Sequence, residues 1–317
     1  MLNALIIGCG DIGIRVGEKL QQRGYSVTAV VRSDNSATKL KRRGFSTRCE
    51  DLDQPMLTLP TISDGCLLFY FAPPTVEGER DLRISHFLSS LASAPHQPAH
   101  IVYISTTAVY ADSDGSWIDE TAPTQPATAR GKRRLDAEQQ LIEYQHHRAT
   151  TLSILRVAGI YSASRLPFRQ IKARQPILKR VIAPYSNRIH ADDLADIAIA
   201  AALNTTTSVA IFNASDGRPG SISQYFWEVA AAFALPEPPE ITWEAAQQLL
   251  SPGMLSYLRE SKRIDSRRLT TELGVSLRYP TLELGLQQCV AELEQNGNQT
   301  RAISVLPTLP MALLTRD

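Results

Sequence analysis

The sequence predicts an α/β protein with a doubly wound parallel β-sheet, helices on both of its faces and a small C-terminal lobe. Short apolar segments recur along the first two thirds of the chain, helical periodicity separates most of them, and the first segment ends at a glycine-rich turn. Solidly apolar strands are typical of a parallel sheet that is buried on both faces. The alternation of strand and helix therefore indicates right-handed βαβ units.

The predicted strands and helices follow one another up to about residue 215. The first apolar strand, Ala4–Ile7, precedes a helix from Ile12 to Arg23, and Gly24 is a typical helix stop. Six more strands are predicted by apolar, largely β-branched runs: Ser26–Val31, a third strand ending near Asp51-Leu52, Cys66–Ala72, His100–Ser105, Thr151–Val157 and Val209–Asn213. The helices predicted between them are Ser36–Arg43, His86–Ala94, Arg133–His146 and Asp192–Leu203.

The regular pattern ends shortly after the seventh predicted strand. From Asp216-Gly217 onward the chain is expected to form helices and loops that are rich in proline. We expect residues 1–165 to form the main domain, completed by residues 188–215, and residues 166–187 and 216–295 to form the small lobe. Residues 296–317 lack periodicity and are predicted to be a tail, either loose or docked on a neighbour.

Composition argues against several function classes. The 33 basic and 32 acidic residues leave a net charge of +1, which predicts binding to neither nucleic acid nor an acidic membrane. The four cysteines are widely spaced without a C-x-x-C pair, so we expect free thiols and no metal site. The N-terminus lacks the basic segment of a signal peptide, and no run reaches the ~18 apolar residues that span a bilayer. We therefore expect a cytoplasmic protein.

The strongest motif is Gly8-Cys9-Gly10-Asp11-Ile12-Gly13, a G-x-G-x-x-G pattern directly after the first strand. In a Rossmann-type sheet the first glycine permits the tight turn, the second lets the backbone approach a pyrophosphate, and the third allows close packing of helix on strand. The helix N-terminus adds free N–H groups and a partial positive charge. Gly8, Gly10, Asp11, Ile12 and Gly13 are therefore predicted to bind a dinucleotide.

The end of the second strand indicates which dinucleotide is bound. NAD-specific sites carry an acidic residue about 20 residues after the motif, whereas a nearby Arg accommodates the 2′-phosphate of NADP. Arg32 stands 19 residues after Gly13, and Ser33 follows it. A guanidinium matches the geometry of a phosphate, so NADP is the predicted cofactor and NAD the alternative. Ala72 and Pro73, at the end of the fourth strand, are also predicted to contact the cofactor.

From the fifth strand onward the sequence resembles the extended short-chain dehydrogenases, the family of NAD-dependent sugar-nucleotide epimerases and dehydratases, and most closely its atypical members. Ile101–Tyr110 resembles the family's strand and following loop. Further short matches occur in order along residues 1–290: Asp51-Leu52, Leu155–Tyr161, Arg188–Leu194, Phe212–Asp216, Lys262–Ile264, Leu273-Gly274 and Tyr279-Pro280. The resemblance implies that Asp51 and Leu52 contact the adenine.

The family's catalytic residues are a Ser or Thr followed by a Tyr-x-x-x-Lys pair. Thr106 matches the Ser/Thr position, but Arg130 stands at the Tyr position and Arg134 at the Lys position. A guanidinium has a pKa above about 12 and cannot transfer a proton near pH 7, so Arg130 is predicted to hold an anionic substrate or to lie on a solvated helix start. Tyr110 is the alternative proton donor, or a packed loop aromatic. His190 is expected to support the fold.

Two main functions remain open from the sequence. The first is an NADP-dependent oxidoreductase or epimerase/dehydratase-like enzyme with an altered acid–base group, and the second is a non-catalytic NADP(H)-binding sensor or partner-binding protein. A ketopantoate reductase type also begins with this glycine motif, but Ile101–Tyr110 and the seventh strand argue against it. Basic residues at the start of the lobe (Arg165, Arg169, Lys172 and Arg174) indicate a small-molecule substrate that is phosphorylated or acidic. The family also implies a sugar nucleotide and a homodimer.

Overall fold

The computed structural model describes residues 2–55 and 58–304. Its strands are β1 (Asn3–Ile7), β2 (Ser26–Val31), β3 (Ser46–Cys49), β4 (Leu67–Tyr70), β5 (His100–Thr106), β6 (Trp117–Ile118), β7 (Thr151–Val157), β8 (Gly159–Tyr161), β9 (Ile177–Leu178), β10 (Tyr185–Ser186), β11 (Arg188–His190), β12 (Val209–Ala214), β13 (Gly220–Ser221), β14 (Glu240–Ile241) and β15 (Arg263–Ile264). Its α-helices are α1 (Asp11–Gln22), α2 (Asp34–Lys41), α3 (Leu82–Ala92), α4 (Ala129–His146), α5 (Phe168–Lys172), α6 (Ala191–Asn204), α7 (Ile222–Ala232), α8 (Trp243–Leu249), α9 (Pro252–Leu258), α10 (Arg268–Thr271) and α11 (Leu282–Ser304).

Seven parallel strands form the central sheet in the order β12-β7-β5-β4-β1-β2-β3. Ile7 at the end of β1 pairs with Val30 of β2 on one side and with Tyr70 of β4 on the other. The strand order reverses between β1 and β4, which is where ligands bind in open α/β sheets. The predicted Rossmann-type fold class is confirmed.

Helices cover both faces of the sheet, as the alternation of elements predicts. One core cluster joins the sheet to apolar residues of α1 and α6, and a second joins it to residues of α3 and α4. A third cluster contains residues of the predicted lobe, among them Leu178, Phe226 and Leu258, together with Leu286 of α11. These residues therefore form apolar packing separate from the two clusters at the sheet. Beyond the end of β7, the short strand β8 pairs with β11.

The element boundaries differ from the predicted ones where side chains cap helices or where a helix continues. Helix α4 begins at Ala129, ahead of the predicted Arg133, because the Thr128 hydroxyl accepts a hydrogen bond from the Gly131 amide at 3.1 Å. Helix α11 continues to Ser304, past residue 296 where the tail was predicted to begin. The rest of that tail, 305–317, lies outside the described residues. Among the described helices, none is long and apolar enough to cross a membrane.

His100, at the start of β5, makes the stability of the sheet depend on pH. It is buried, its two ring nitrogens contact the hydroxyls of Thr151 and Ser153, and burial lowers its pKa to about 4 from an ordinary value of 6.5. Between pH 6.5 and 4 the imidazole of His100 binds a proton in the unfolded chain but stays neutral in the folded protein. The stability present above pH 6.5 should therefore fall by roughly 1 kcal/mol per pH unit on acidification.

Urea denaturation of the wild type and of His100→Asn at several pH values measures this contribution. Between pH 6.5 and 4, we expect the free energy of unfolding of the variant to fall less steeply with acidification than that of the wild type. This expectation holds whatever the stability of the variant at neutral pH. Equal slopes in the two proteins would contradict the assignment.

Candidate functional site

The glycine turn after β1 has the shape that a dinucleotide requires. Gly8 has φ +83°, and a Cβ there would lie 2.5 Å from the backbone nitrogen of Ala72. Among the described atoms, none lies within 4 Å of the Cβ position at Gly10, so this side of the turn is open. A Cβ at Gly13 would lie 3.2 Å from the side chains of Cys9 and Ile6, which marks close contact of helix and strand. The three glycines therefore occupy three different environments, in the order that the motif predicts.

Helix α1 begins beside the open side of this turn. Its N-cap is Gly10, which has no side chain to cap the first amides, so the N–H groups of the first turn can bind a ligand. Asp11 in that turn accepts hydrogen bonds from Arg15 at 3.0 Å and from Arg165 at 2.7 Å. Arg165 thus links the glycine turn to the chain that follows β8.

The end of β2 presents an available guanidinium. Arg32 is 71% exposed, and its Nη1 lies 3.9 Å from Asp53. Arg83 binds the Asp53 carboxylate through two hydrogen bonds of 2.6 and 2.8 Å, and these hold the pKa of Asp53 below its usual value. Ser33 caps α2 by accepting from the Ser36 amide. Because Arg83 binds the Asp53 carboxylate directly, Arg32 keeps only the longer contact to Asp53, and its guanidinium stays largely exposed.

Arg83 also connects the loops after β3 and β4, which are predicted to contact the cofactor, because it binds Asp53 in one loop and Pro73 and Pro74 in the other. Its Nη1 donates to the carbonyl oxygens of Pro73 and Pro74 at 3.1 and 3.2 Å. Leu52 is buried, and its carbonyl oxygen lies 3.1 Å from His86 Nδ1. The loops after β3 and β4, which contain Asp51, Leu52, Ala72 and Pro73, are therefore joined beside the glycine turn.

A cleft of about 660 Å³ lies beyond the carboxyl ends of β4, β5 and β7. Three of the four predicted catalytic residues, Thr106, Arg130 and Arg134, line it together with Pro73. Other lining residues come from the segments after β8, before β11 and before β15, and include Arg165, Asn187, Tyr257, Glu260 and Lys262. The structure thus brings the Ser/Thr position and both arginines into one cavity.

Tyr110 is the predicted catalytic residue that lies outside this cleft. It is buried, its hydroxyl donates to Asn213 Oδ1 at 2.7 Å, and Arg156 lies over its ring. Burial raises its pKa to about 12. These contacts favour the packed loop aromatic over the proton donor, because the hydroxyl proton of Tyr110 is directed to Asn213 Oδ1 and not into the cleft. His190 is likewise buried and caps α6 by accepting from the Asp192 amide, which is the structural role expected of it.

Most residues that line the cleft were not among the predicted site residues; those with polar or titratable side chains include Asn187, Tyr257, Glu260 and Lys262. Lys262 is buried, and its Nζ donates to the carbonyl oxygen of Tyr110 at 3.2 Å and to Glu260 at 3.0 Å. In the sequence Lys262 was noted only within a short C-terminal match. A position more than 100 residues from the β5 loop gives no local sign that it will meet that loop.

Comparisons with known proteins agree with this architecture. Residues 4–64 match the family model described as ketopantoate reductase PanE/ApbA, a range that covers only the first strands and helices of the nucleotide-binding sheet. No curated protein sequence matches the chain. Solved structures of epimerase-type proteins, by contrast, match nearly the whole chain.

Three solved structures illustrate those matches. A functionally unknown conserved protein from Silicibacter pomeroyi is 29% identical, with a TM-score of 0.79, and the alignment covers 93% of this chain and 100% of that one. A UDP-glucose 4-epimerase from Thermotoga maritima, solved with UDP-glucose, is 17% identical with a TM-score of 0.74, covering 93% and 99%. A human epimerase family protein, solved with NADPH, is 17% identical with a TM-score of 0.71, covering 92% and 99%. The resemblance seen in the sequence is thus confirmed, and the chain has the fold of the extended short-chain dehydrogenases and NAD-dependent epimerases.

Proposed function

We propose that this protein binds NADP(H) at the glycine turn and uses it in an oxidoreductase or epimerase/dehydratase-like reaction on a small molecule held in the cleft. The observation that carries the proposal is the exposed Arg32 guanidinium at the end of β2, beside a glycine turn with an uncapped helix N-terminus. The human epimerase family protein with the same fold was solved with NADPH, which supports this cofactor.

The residues present fit a dinucleotide. A pyrophosphate would meet the first-turn amides of α1 on the open side of Gly10, and the 2′-phosphate would meet Arg32 and Ser33. The adenine would lie by Asp51 and Leu52, as the family resemblance implies. The nicotinamide end would then extend past Ala72 and Pro73 toward Thr106 in the cleft, because the cleft follows directly from this turn along the carboxyl ends of the strands.

When bound, the cofactor supplies hydride transfer, and the chain's own residues bind and orient the substrate. The Thr106 oxygen accepts a hydrogen bond from the Ala108 amide at 3.2 Å, so its O–H is free to donate to a substrate oxygen. Arg134 can hold ribose hydroxyls or an anion, but neither Arg134 nor Arg130 can transfer a proton near pH 7. The proton would therefore come from solvent, from the substrate or from another titratable residue that lines the cleft, such as Tyr257, Glu260 or Lys262.

A non-catalytic NADP(H)-binding protein is the second candidate. The observation that favours it is the absence of a titrating acid–base group at the Tyr-x-x-x-Lys position, with Tyr110 buried on Asn213. Hydride exchange measured with NADPH against a panel of carbonyl compounds and sugar nucleotides separates the two. Turnover that falls in Thr106→Ala supports the enzyme, whereas tight NADPH binding without turnover supports the second candidate.

Replacing Arg32 by alanine tests the choice of cofactor. We expect the Kd for NADPH to rise about tenfold or more while the Kd for NADH changes little, because only NADPH loses a charge-assisted hydrogen bond to its 2′-phosphate. Fluorescence titration of both cofactors measures the two constants. Arg23→Ala is a matched control, since it removes an exposed arginine at the far end of α1. Equal losses for NADPH and NADH would contradict NADP specificity, and a wild type that binds neither would contradict the cofactor site.

A further inference from the structure

The side chains that line the cleft carry a surplus of positive charge. Five cationic side chains line it: Arg130, Arg133, Arg134, Arg165 and Lys262. Of the described residues that line the cleft, only Glu260 is acidic, and it pairs with Lys262 at 3.0 Å. Arg165 pairs with Asp11. The three arginines at the start of α4 therefore account for the surplus.

Among the described residues, the hydrogen bonds of these three arginines go only to neutral oxygens, and the buried Asp81 carboxylate acts on Arg134 without a hydrogen bond or ion pair to it. Arg133 is only 8% exposed, its Nη1 donates to the carbonyl oxygen of Gly78 at 2.5 Å, and its buried Nε has no partner. Arg134 donates to the Ile104 carbonyl at 2.9 Å and to the Tyr103 hydroxyl at 3.2 Å. Arg130 is exposed and lines the cleft. Within residues 2–55 and 58–304, none of the three forms an ion pair with a carboxylate.

This arrangement costs free energy unless an anion is present. A buried guanidinium that lacks a counter-ion pays a desolvation penalty that hydrogen bonds to neutral carbonyls offset only in part. The same arginines lie in the first turns of α4, an 18-residue helix whose N-terminus adds a partial positive charge. Both effects favour a negatively charged group at this end of the cleft.

We propose that Arg130, Arg133 and Arg134 form an oxyanion subsite, and that the substrate carries a carboxylate or phosphate group close to the carbon that exchanges hydride. The inference rests on the proposed function, because Thr106 and the nicotinamide end of the cofactor share this part of the cleft. The cofactor's own phosphates are assigned to α1 and Arg32, at the other end of the site. A neutral sugar ring beside Thr106 would leave the arginines without a counter-ion, so the substrate class is a small acid or phosphate ester.

The test measures binding of oxalate and of inorganic phosphate to the full-length protein by isothermal titration calorimetry, with and without saturating NADPH. We expect at least one of the two anions to bind the wild type, and its Kd to rise about tenfold in Arg130→Gln. Lys132→Gln is the matched control, because it removes the same charge from the same helix while Lys132 pairs with Glu79 away from the cleft. The Kd of this variant for the anion should match that of the wild type. Arg130 is exposed, so its replacement should leave the fold intact.

The outcomes separate the subsite from the cofactor. Preference for oxalate identifies a carboxylate substrate, and preference for phosphate identifies a phosphate ester. The subsite is overturned if neither anion binds the wild type, or if Arg130→Gln and Lys132→Gln weaken binding equally. Failure of NADPH to bind, with anion binding still sensitive to Arg130, would overturn the proposed function and leave the subsite standing.

Discussion

Replacing Arg156 by methionine is expected to lower the free energy of unfolding by about 3–5 kcal/mol. Arg156 of β7 and Glu138 of α4 form an ion pair at 2.8 Å, with exposed fractions of 5% and 1%. Ser105 of β5 donates to the same carboxylate. The variant would leave the Glu138 charge buried with a single hydroxyl as its partner, and it would also remove the cation stacked over Tyr110.

The double variant Glu138→Leu/Arg156→Met tests the cause of that loss. If the uncompensated charge dominates, removing both partners should recover most of the stability, since an apolar pair of similar volume often replaces a buried ion pair at little cost. Urea denaturation of the wild type, the single variant and the double variant provides the three free energies. A double variant as unstable as Arg156→Met would show that packing, not charge, is responsible.

Replacing Gly8 by alanine is expected to lower the free energy of unfolding by about 2–5 kcal/mol and to abolish NADPH binding. The left-handed backbone at φ +83° destabilises a residue that has a side chain by about 1–2 kcal/mol. The new Cβ would also lie 2.5 Å from the backbone nitrogen of Ala72, so β1 and the end of β4 must separate, at roughly 1–3 kcal/mol. That movement displaces the turn that is proposed to hold the pyrophosphate.

Variants at two other glycines separate the cost of the left-handed backbone, the clash with Ala72 and the loss of NADPH binding. Gly24 has φ +82° with open space around its Cβ position, so Gly24→Ala should show the backbone cost without the clash. Gly10 has φ −86° and open space, so Gly10→Ala should stay folded while binding NADPH more weakly. Thermal unfolding and NADPH titration of the three variants measure both effects. If Gly8→Ala were no less stable than Gly24→Ala, the close approach to Ala72 would carry no cost.

Local patterns predicted the inner strands of the sheet well because these strands are buried on both faces. Strands β2 and β7 have the predicted bounds, since their solid apolar runs are bordered by polar or turn residues. Strand β3 was extended too far toward Asp51, because its sequence is polar and it lies at the edge of the sheet, where burial imposes no pattern. Helix α4 was started too late because its first turn is basic and lacks apolar periodicity.

The catalytic candidates were harder to predict because the direction of a side chain is not a local property. Thr106, Arg130 and Arg134 were named from their spacing, and the structure places all three in the cleft. Tyr110 lies four residues from Thr106, yet the turn of the short 3₁₀ helix Thr107–Val109 directs its hydroxyl to Asn213. Lys262 enters the same cleft from a segment far along the chain.

By itself the sequence determined the parallel sheet, the glycine turn and the arginine beside it, because these depend on apolar periodicity, backbone freedom and short spacing. Only the tertiary structure decided that Arg83 pairs with Asp53 and leaves Arg32 largely exposed, and that Glu138 pairs with Arg156. It also decided that the arginines of α4 line the cleft without forming ion pairs to carboxylates of the described residues. Those features depend on which charges become neighbours after distant segments pack, and burial then sets what each unpaired charge costs.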